Sequence, residues 1–203
     1  MSYPASRPFK RADTRNSASM NPSSKKELRH PVLGRLHCVY AYDVDPMWLP
    51  RFGLTARPEP IGEIWELSER QPFMGSANAL TVCINSADWA DVLAGRYREG
   101  EFTELQIDAY HAYLNEIAAI ESHVAQAVLA HYHECIECID YGHDNFKPVA
   151  LAAPLLLQCN HWELALPWTD AGPRQFQIRC QCPWESEHGF SCEFENEQLI
   201  RAE

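Results

Sequence analysis

The stretch from Thr103 to His133 constrains the fold of this chain more than any other. Tyr113, Ile117, Ile120, Val124 and Val128 recur at steps of three and four residues, as a helix with one buried face requires. At its start, Thr103 and Gln106 have the spacing of a capping box, in which each side chain satisfies a backbone N–H left free at a helix N-terminus. The segment predicts a single helix, on the order of 45 Å long at 1.5 Å per residue. Such a helix is the spine of a fold.

The segments around it read as strands. Leu36, Cys38, Tyr40 and Tyr42 alternate after a turn at Gly34, strand-like residues follow at Ile61 to Leu67, and Leu80, Val82 and Ile84 form another short run. A shorter helix is expected from a cap at Ser86 to Gly95 or Gly100. Beyond the long helix, Trp162, Leu164 and Leu166 share one face, as do Phe176, Ile178, Cys180 and Cys182, and then Phe190, Cys192 and Phe194. The last two runs read as an antiparallel hairpin with one wet face, whose loop is "CPWESEHGF". The order strands, helices, strands predicts an α+β domain, with an antiparallel sheet packed against one long central helix plus a shorter helix.

A chain of 203 residues with a 46% hydrophobic fraction suits one globular domain. No apolar run reaches the roughly 18 residues that span a bilayer, and the N-terminus lacks the apolar stretch of a secretory signal, so a cytoplasmic protein is expected. Charge is divided unevenly. Residues 1–30 carry seven basic and two acidic residues, a formal +5, which leaves −16 on residues 31–203 of a total of −11. The basic leader, rich in Ser, Pro and Asn, is expected to be disordered, with residues 31–203 as the folded domain. Met20 offers a second start of translation, which would leave residues 1–19 untranslated. A body so acidic excludes nucleic acid and membrane surfaces as partners and suits a basic protein. The eight cysteines are expected as free thiols packed as small apolar residues.

Three polar clusters are candidates for chemistry. His131, Cys135, Cys138 and His143 offer part of a zinc site, yet His131, Cys135 and Cys138 also continue the helix's buried stripe, and a second CxxC pair is missing. Asp43 and Asp45 could hold a cation or act as acid and base, although a turn closed by their side chains is the commoner role. In "CPWESEHGF", Pro183 is expected to end a strand and Gly189 to supply a positive φ. There Glu185, Glu187 and His188 could transfer protons, bind a cation, or hold the loop's own backbone and meet a partner. No GxSxG, Walker-type, Rossmann-type or HExxH pattern is present.

The same residues carry a resemblance. "CPWESEHGFSCEFEN" resembles the WDxEHG signature of an uncharacterised bacterial domain-of-unknown-function family, with Trp184, Glu187, His188 and Gly189 matching and Glu185 standing where Asp is usual. "HPVLGRL" and "TELQIDAYHAYLNEIAAIESHVAQAVLAHY" are similar to that family's opening strand and helix, so the likeness covers residues 31 to 200. It implies a small acidic protein that resembles the immunity proteins of polymorphic toxin systems, a non-enzymatic protein that neutralises a basic toxin by occlusion. Trp184, Glu185, Glu187, His188 and Gly189 are then the candidate binding residues. The alternative is a hydrolase-like enzyme or metal-dependent binding module centred on Glu185, Glu187 and His188.

Overall fold

The computed structural model describes residues 26–42, 62–75, 78–86, 100–138 and 147–203, with the backbone alone at 40–42, 62, 78 and 138. The expected leader up to residue 25, the Asp43 and Asp45 turn, the helix after Ser86 and His143 lie outside the described residues. The strands are β1 (Glu27–His30), β2 (Gly34–Tyr42), β3 (Gly62–Leu67), β4 (Gln71–Phe73), β5 (Asn78–Asn85), β6 (Asn160–Leu166), β7 (Gln175–Cys182), β8 (Glu185–Glu195) and β9 (Gln198–Ala202). Helix α1 spans Glu104–Cys138 and the short α2 spans Ala153–Leu156. The class is α+β: among the described residues there are one largely antiparallel sheet, one long helix and one short helix.

In the sheet the order is β1-β2-β3-β5-β6-β7-β8-β9, and β4 pairs with β5. Every pair is antiparallel except β5 with β6, which run parallel in the register Thr81↔Glu163 to Ile84↔Leu166. That exception follows from the connection, since β5 and β6 are joined through α1 and a crossover returns the chain in its original direction. Glu27–His30, at the end of the expected leader, pair with β2 from Glu27↔His37 to His30↔Gly34. Four residues with one half-buried leucine leave too short a pattern to read in sequence.

The core forms where strand and helix patterns meet. Trp162, Leu164 and Leu166 of β6, Phe176, Ile178, Cys180 and Cys182 of β7, and Phe190, Cys192 and Phe194 of β8 are all buried, as their alternation predicts. From the helix come Ala109, Tyr110, Tyr113, Ile120, Val124, Ala127, Val128 and Tyr132, while Ile117 is half-buried. Each large apolar side chain so enclosed contributes about 1.5–3 kcal/mol. The helix runs five residues beyond His133 and is interrupted at Glu116, whose φ of −116° and ψ of 19° are not helical. No glycine or proline marks that break.

Capping at the start of α1 reaches further than the box. Gln106 N–H donates to Thr103 Oγ1 (3.2 Å), and Thr103 N–H donates to Gln106 Oε1 (3.0 Å). The Gln106 amide nitrogen then donates to two carbonyls, Asn85 O at 2.7 Å and Leu166 O at 3.1 Å, the last residues of the parallel strands β5 and β6. With 1% of its surface exposed, this side chain joins the helix start to the sheet and satisfies groups that water cannot reach.

A second buried polar group works beside it, at the residue after Asn85. Glu63 of β3 accepts from Lys26 Nζ (2.6 Å) and from the Trp65 indole (3.0 Å), and its backbone N–H donates to Ser86 Oγ (2.9 Å). A buried carboxylate held this way is strongly destabilising to break, because removing one partner strands a charge.

Unfolding by urea tests the helix junction. Gln106→Ala is expected to cost about 3 kcal/mol, since it leaves two carbonyls and a cap N–H without partners. Tyr113→Phe should be neutral or stabilising by up to about 1 kcal/mol, because the Tyr113 hydroxyl is buried with no hydrogen-bond partner among the described residues. A costly Tyr113→Phe or a harmless Gln106→Ala would contradict this account.

Candidate functional site

The polar cluster after Cys182 is only partly a hairpin loop. β7 and β8 are joined by a two-residue turn, Pro183 and Trp184, with Cys182 opposite Glu185. The next matched pair is Cys180↔Phe190, so five steps along β8 face two along β7. Three extra residues are therefore accommodated as a wide bulge within β8, which corrects the expectation of one long loop. Bulges of this kind re-aim side chains and are common beside functional surfaces.

Gly189 makes the bulge possible. Its φ is +72°, and a Cβ there would lie 2.5 Å from the carbonyl oxygen of Cys180. Both the left-handed conformation and the close backbone approach demand glycine. The positive φ matches the expectation from sequence. The close approach across the ladder is a tertiary fact.

Trp184 points inward and anchors the turn to α1. Its ring meets Tyr132 edge-on at 5.2 Å between centroids, and its indole N–H donates to His131 Nδ1 at 3.2 Å. An indole can only donate, so Nδ1 carries the lone pair and the neutral His131 bears its proton on Nε2. Nε2 lies 3.6 Å from Cys135 Sγ, and the ring packs edge-on against Phe190 at 5.2 Å. Burial lowers the His131 pKa below its ordinary value, opposed by the carboxylates of Glu185 and Glu134.

The remaining candidates face outward. Glu185 Oε1 lies 3.4 Å from His188 Nδ1 and accepts from the His188 backbone N–H at 3.4 Å, while the Glu187 and His188 side chains are exposed. Glu185 and His188 thus hold the bulge's own chain, and Glu187 stands at its rim. The suspected zinc ligands are distributed differently: His131 Nδ1 is engaged by Trp184, Cys135 is half-buried beside it, and His143 lies outside the described residues, as does the Cys138 side chain. Among the described residues, no group of three or more His, Cys, Asp or Glu is placed to hold a metal ion.

Sulfur is concentrated beneath this site. Cys159, Cys180, Cys182 and Cys192 are buried and free. Burial pushes the Cys182 and Cys192 thiols up to about 12, and a hydrogen bond with Cys159 together with burial raises Cys180 further. Cys180, Cys182 and Cys192 therefore stay protonated, and they behave as small apolar side chains.

Sequence reasoning missed two contributors. Tyr132, whose hydroxyl donates to Lys147 O at 2.7 Å, sits four residues past Val128 and continues the stripe that His131 was taken to extend. Strand β9 follows a two-residue turn at Asn196 and Glu197, with φ of 45° and 64°. Asparagine in a two-residue connection between strands is the signal that could have revealed it. Arg174 braces the turn with a two-pronged ion pair to Glu197 at 2.9 and 2.7 Å.

Residues 63–203 match the model of a family described as a domain of unknown function, DUF6985, and the chain belongs to that family. The match begins in β3 and takes in α1, the bulge and β9; residues 31–62 precede it. No curated protein and no solved structure matches the chain.

Two measurements probe the site. Gly189→Ala is expected to cost on the order of 3 kcal/mol, from left-handed strain plus displacement of the Cys180 carbonyl. Wild-type unfolding within 1 kcal/mol of that variant would show that the bulge relaxes freely. For pH, His131 has a folded pKa below its unfolded one, so its contribution is complete above the ordinary value of 6.5 and is lost as pH falls through the folded pKa. Stability measured from pH 7.5 to pH 5 should fall less steeply in His131→Asn than in wild type; identical slopes would remove His131 as a cause.

Proposed function

We propose that this member of a family without an assigned activity is a non-enzymatic interaction protein, an immunity protein that neutralises a basic bacterial toxin by covering its active surface. One observation carries the reading. Across its thirty-five residues α1 has six carboxylates, Glu104, Asp108, Glu116, Glu121, Glu134 and Glu137, and no lysine or arginine. All but Glu121 are exposed. A long helix charged with one sign projects a field that attracts a cationic partner before contact and repels anionic surfaces.

The bulge supports the same reading by what it uses up. A catalytic pair would be aimed into a cleft and poised to exchange protons with a ligand. Here Glu185 and His188 bond each other and the chain between them, and Glu187 is exposed on the rim. Such an arrangement offers a firm polar ridge for contact, stiffened from below by Trp184.

Co-expression with the product of the adjacent gene tests the proposal. That product alone should arrest growth, and this protein should restore it, with association that slows about tenfold or more as salt rises from low to near-molar concentration. A neighbour that is harmless, or equally toxic in the presence of this protein, would refute the immunity reading.

A further inference from the structure

Residues 148–157, "PVALAAPLLL", contain no polar side chain. Such a run belongs in a core, yet most of it lies outside. Leu155 is buried and Leu156 and Val149 are half-buried against the core, whereas Leu151 is 69% exposed and Leu157 74% exposed, with Pro148, Ala150, Ala153 and Pro154 also exposed between them. Among the described residues, the other large exposed apolar side chains, Val32, Val39, Leu114 and Ile200, are separated in sequence and come from different elements. Two leucines this open within one apolar ten-residue segment form a surface of the kind that marks protein contact.

The segment is hydrogen-bonded to the end of α1. Tyr132 Oη donates to Lys147 O at 2.7 Å, and His133 Nε2 lies 2.9 Å from Val149 O. The exposed positions on those last turns of α1 are Glu134 and Glu137. Glu134 and Glu137 lie one and four residues beyond His133, so the helix end that holds the segment carries two exposed carboxylates, and Lys147 is the one cation of residues 147–158. Exposed apolar side chains held against an acidic helix end combine the two ingredients of a specific interface, an apolar centre and nearby charge.

Resting on the interaction reading above, we infer that the surface formed by Leu151, Ala153, Pro154 and Leu157, held against the acidic end of α1, seats a protein partner that presents leucine-sized side chains flanked by lysine or arginine. Charge selects among the occupants. A second copy would bring the same acidic helix end and a net charge of −11 against its like, and an anionic bilayer would be repelled equally. A basic protein surface gains on both terms: its apolar residues cover Leu151 and Leu157, and its cations meet the carboxylates. Neither leucine supports the core, so both are free to serve contact.

The test uses the full chain and a labelled fourteen-residue helical peptide of leucine and lysine, read by fluorescence anisotropy at low salt, with a leucine–glutamate peptide as its counterpart. The double variant Leu151→Ser/Leu157→Ser should keep the wild-type melting temperature and bind the lysine peptide about tenfold more weakly or worse. A control, Val39→Ser/Ile200→Ser, should bind as wild type does. Equal binding by the double variant, or equal affinity for the glutamate peptide, overturns the inference. So does wild-type dimerisation, or sedimentation with phosphatidylglycerol vesicles, that the double variant loses, since the surface would then serve a second copy or a membrane. In co-expression, a double variant that protects as well as wild type overturns this surface and leaves the immunity reading standing. A harmless neighbour beside an intact peptide result removes the immunity reading and leaves the surface standing.

Discussion

The amide of Gln106 is the joint on which the architecture depends. Parallel strands β5 and β6 end side by side, and each leaves a carbonyl, at Asn85 and Leu166, pointing beyond the ladder. The start of α1 meanwhile has backbone N–H groups with no helical acceptor. One glutamine resolves both deficits, because it is donor and acceptor at once and the capping box orients it. The helix consequently starts at one place over the sheet, and its apolar stripe follows from there across β6, β7 and β8. A glutamate at this position would lack the donors, and an apolar residue would lack both.

From that fixed start α1 reaches the opposite end of the sheet, where His131 and Tyr132 receive Trp184. The turn between β7 and β8 is thereby tied to the same helix that Gln106 anchors, and the bulge at Glu185 to Gly189 projects from a braced base. Its outward side chains are ordered by their own contacts and by Gly189. Rigidity of this sort suits recognition: contact surfaces held in place before binding lose less conformational freedom on association. The hydrogen bonds from Tyr132 and His133 to residues 147 and 149 extend the brace to the apolar segment around α2. Helix end, bulge and apolar segment are thus built on consecutive residues of one element.

Strand faces were legible in the strictly alternating runs of β7 and β8. Phe176 to Cys182 and Phe190 to Phe194 have the burial their parity demands, because a sheet face covered by a helix admits one periodicity only. The helix and its capping box were legible for the same reason, and Gly189 was legible as a conformational requirement. Shorter or unaccented features were not. β1 is four residues long, β9 is announced only by Asn196, and the break at Glu116 has no glycine or proline. The bulge was read as loop since polar residues between two strands have the same composition whether they leave the sheet or crowd within it.

The sequence by itself determined the class of the domain, the buried face of nearly every long element, the helix start at Thr103 and the acidity of the helix surface, all of which rest on local periodicity and side-chain chemistry. Only the tertiary structure decided what joins what: the parallel pairing of β5 with β6, the reach of Gln106 to two strand ends, the bond from Trp184 to His131, and the exposure of Leu151 and Leu157. The reason is physical. Periodicity reports which face of an element avoids water, but contacts between residues 53 or 60 positions apart depend on how those faces stack. An apolar run reads alike whether it fills a core or stands uncovered on a surface.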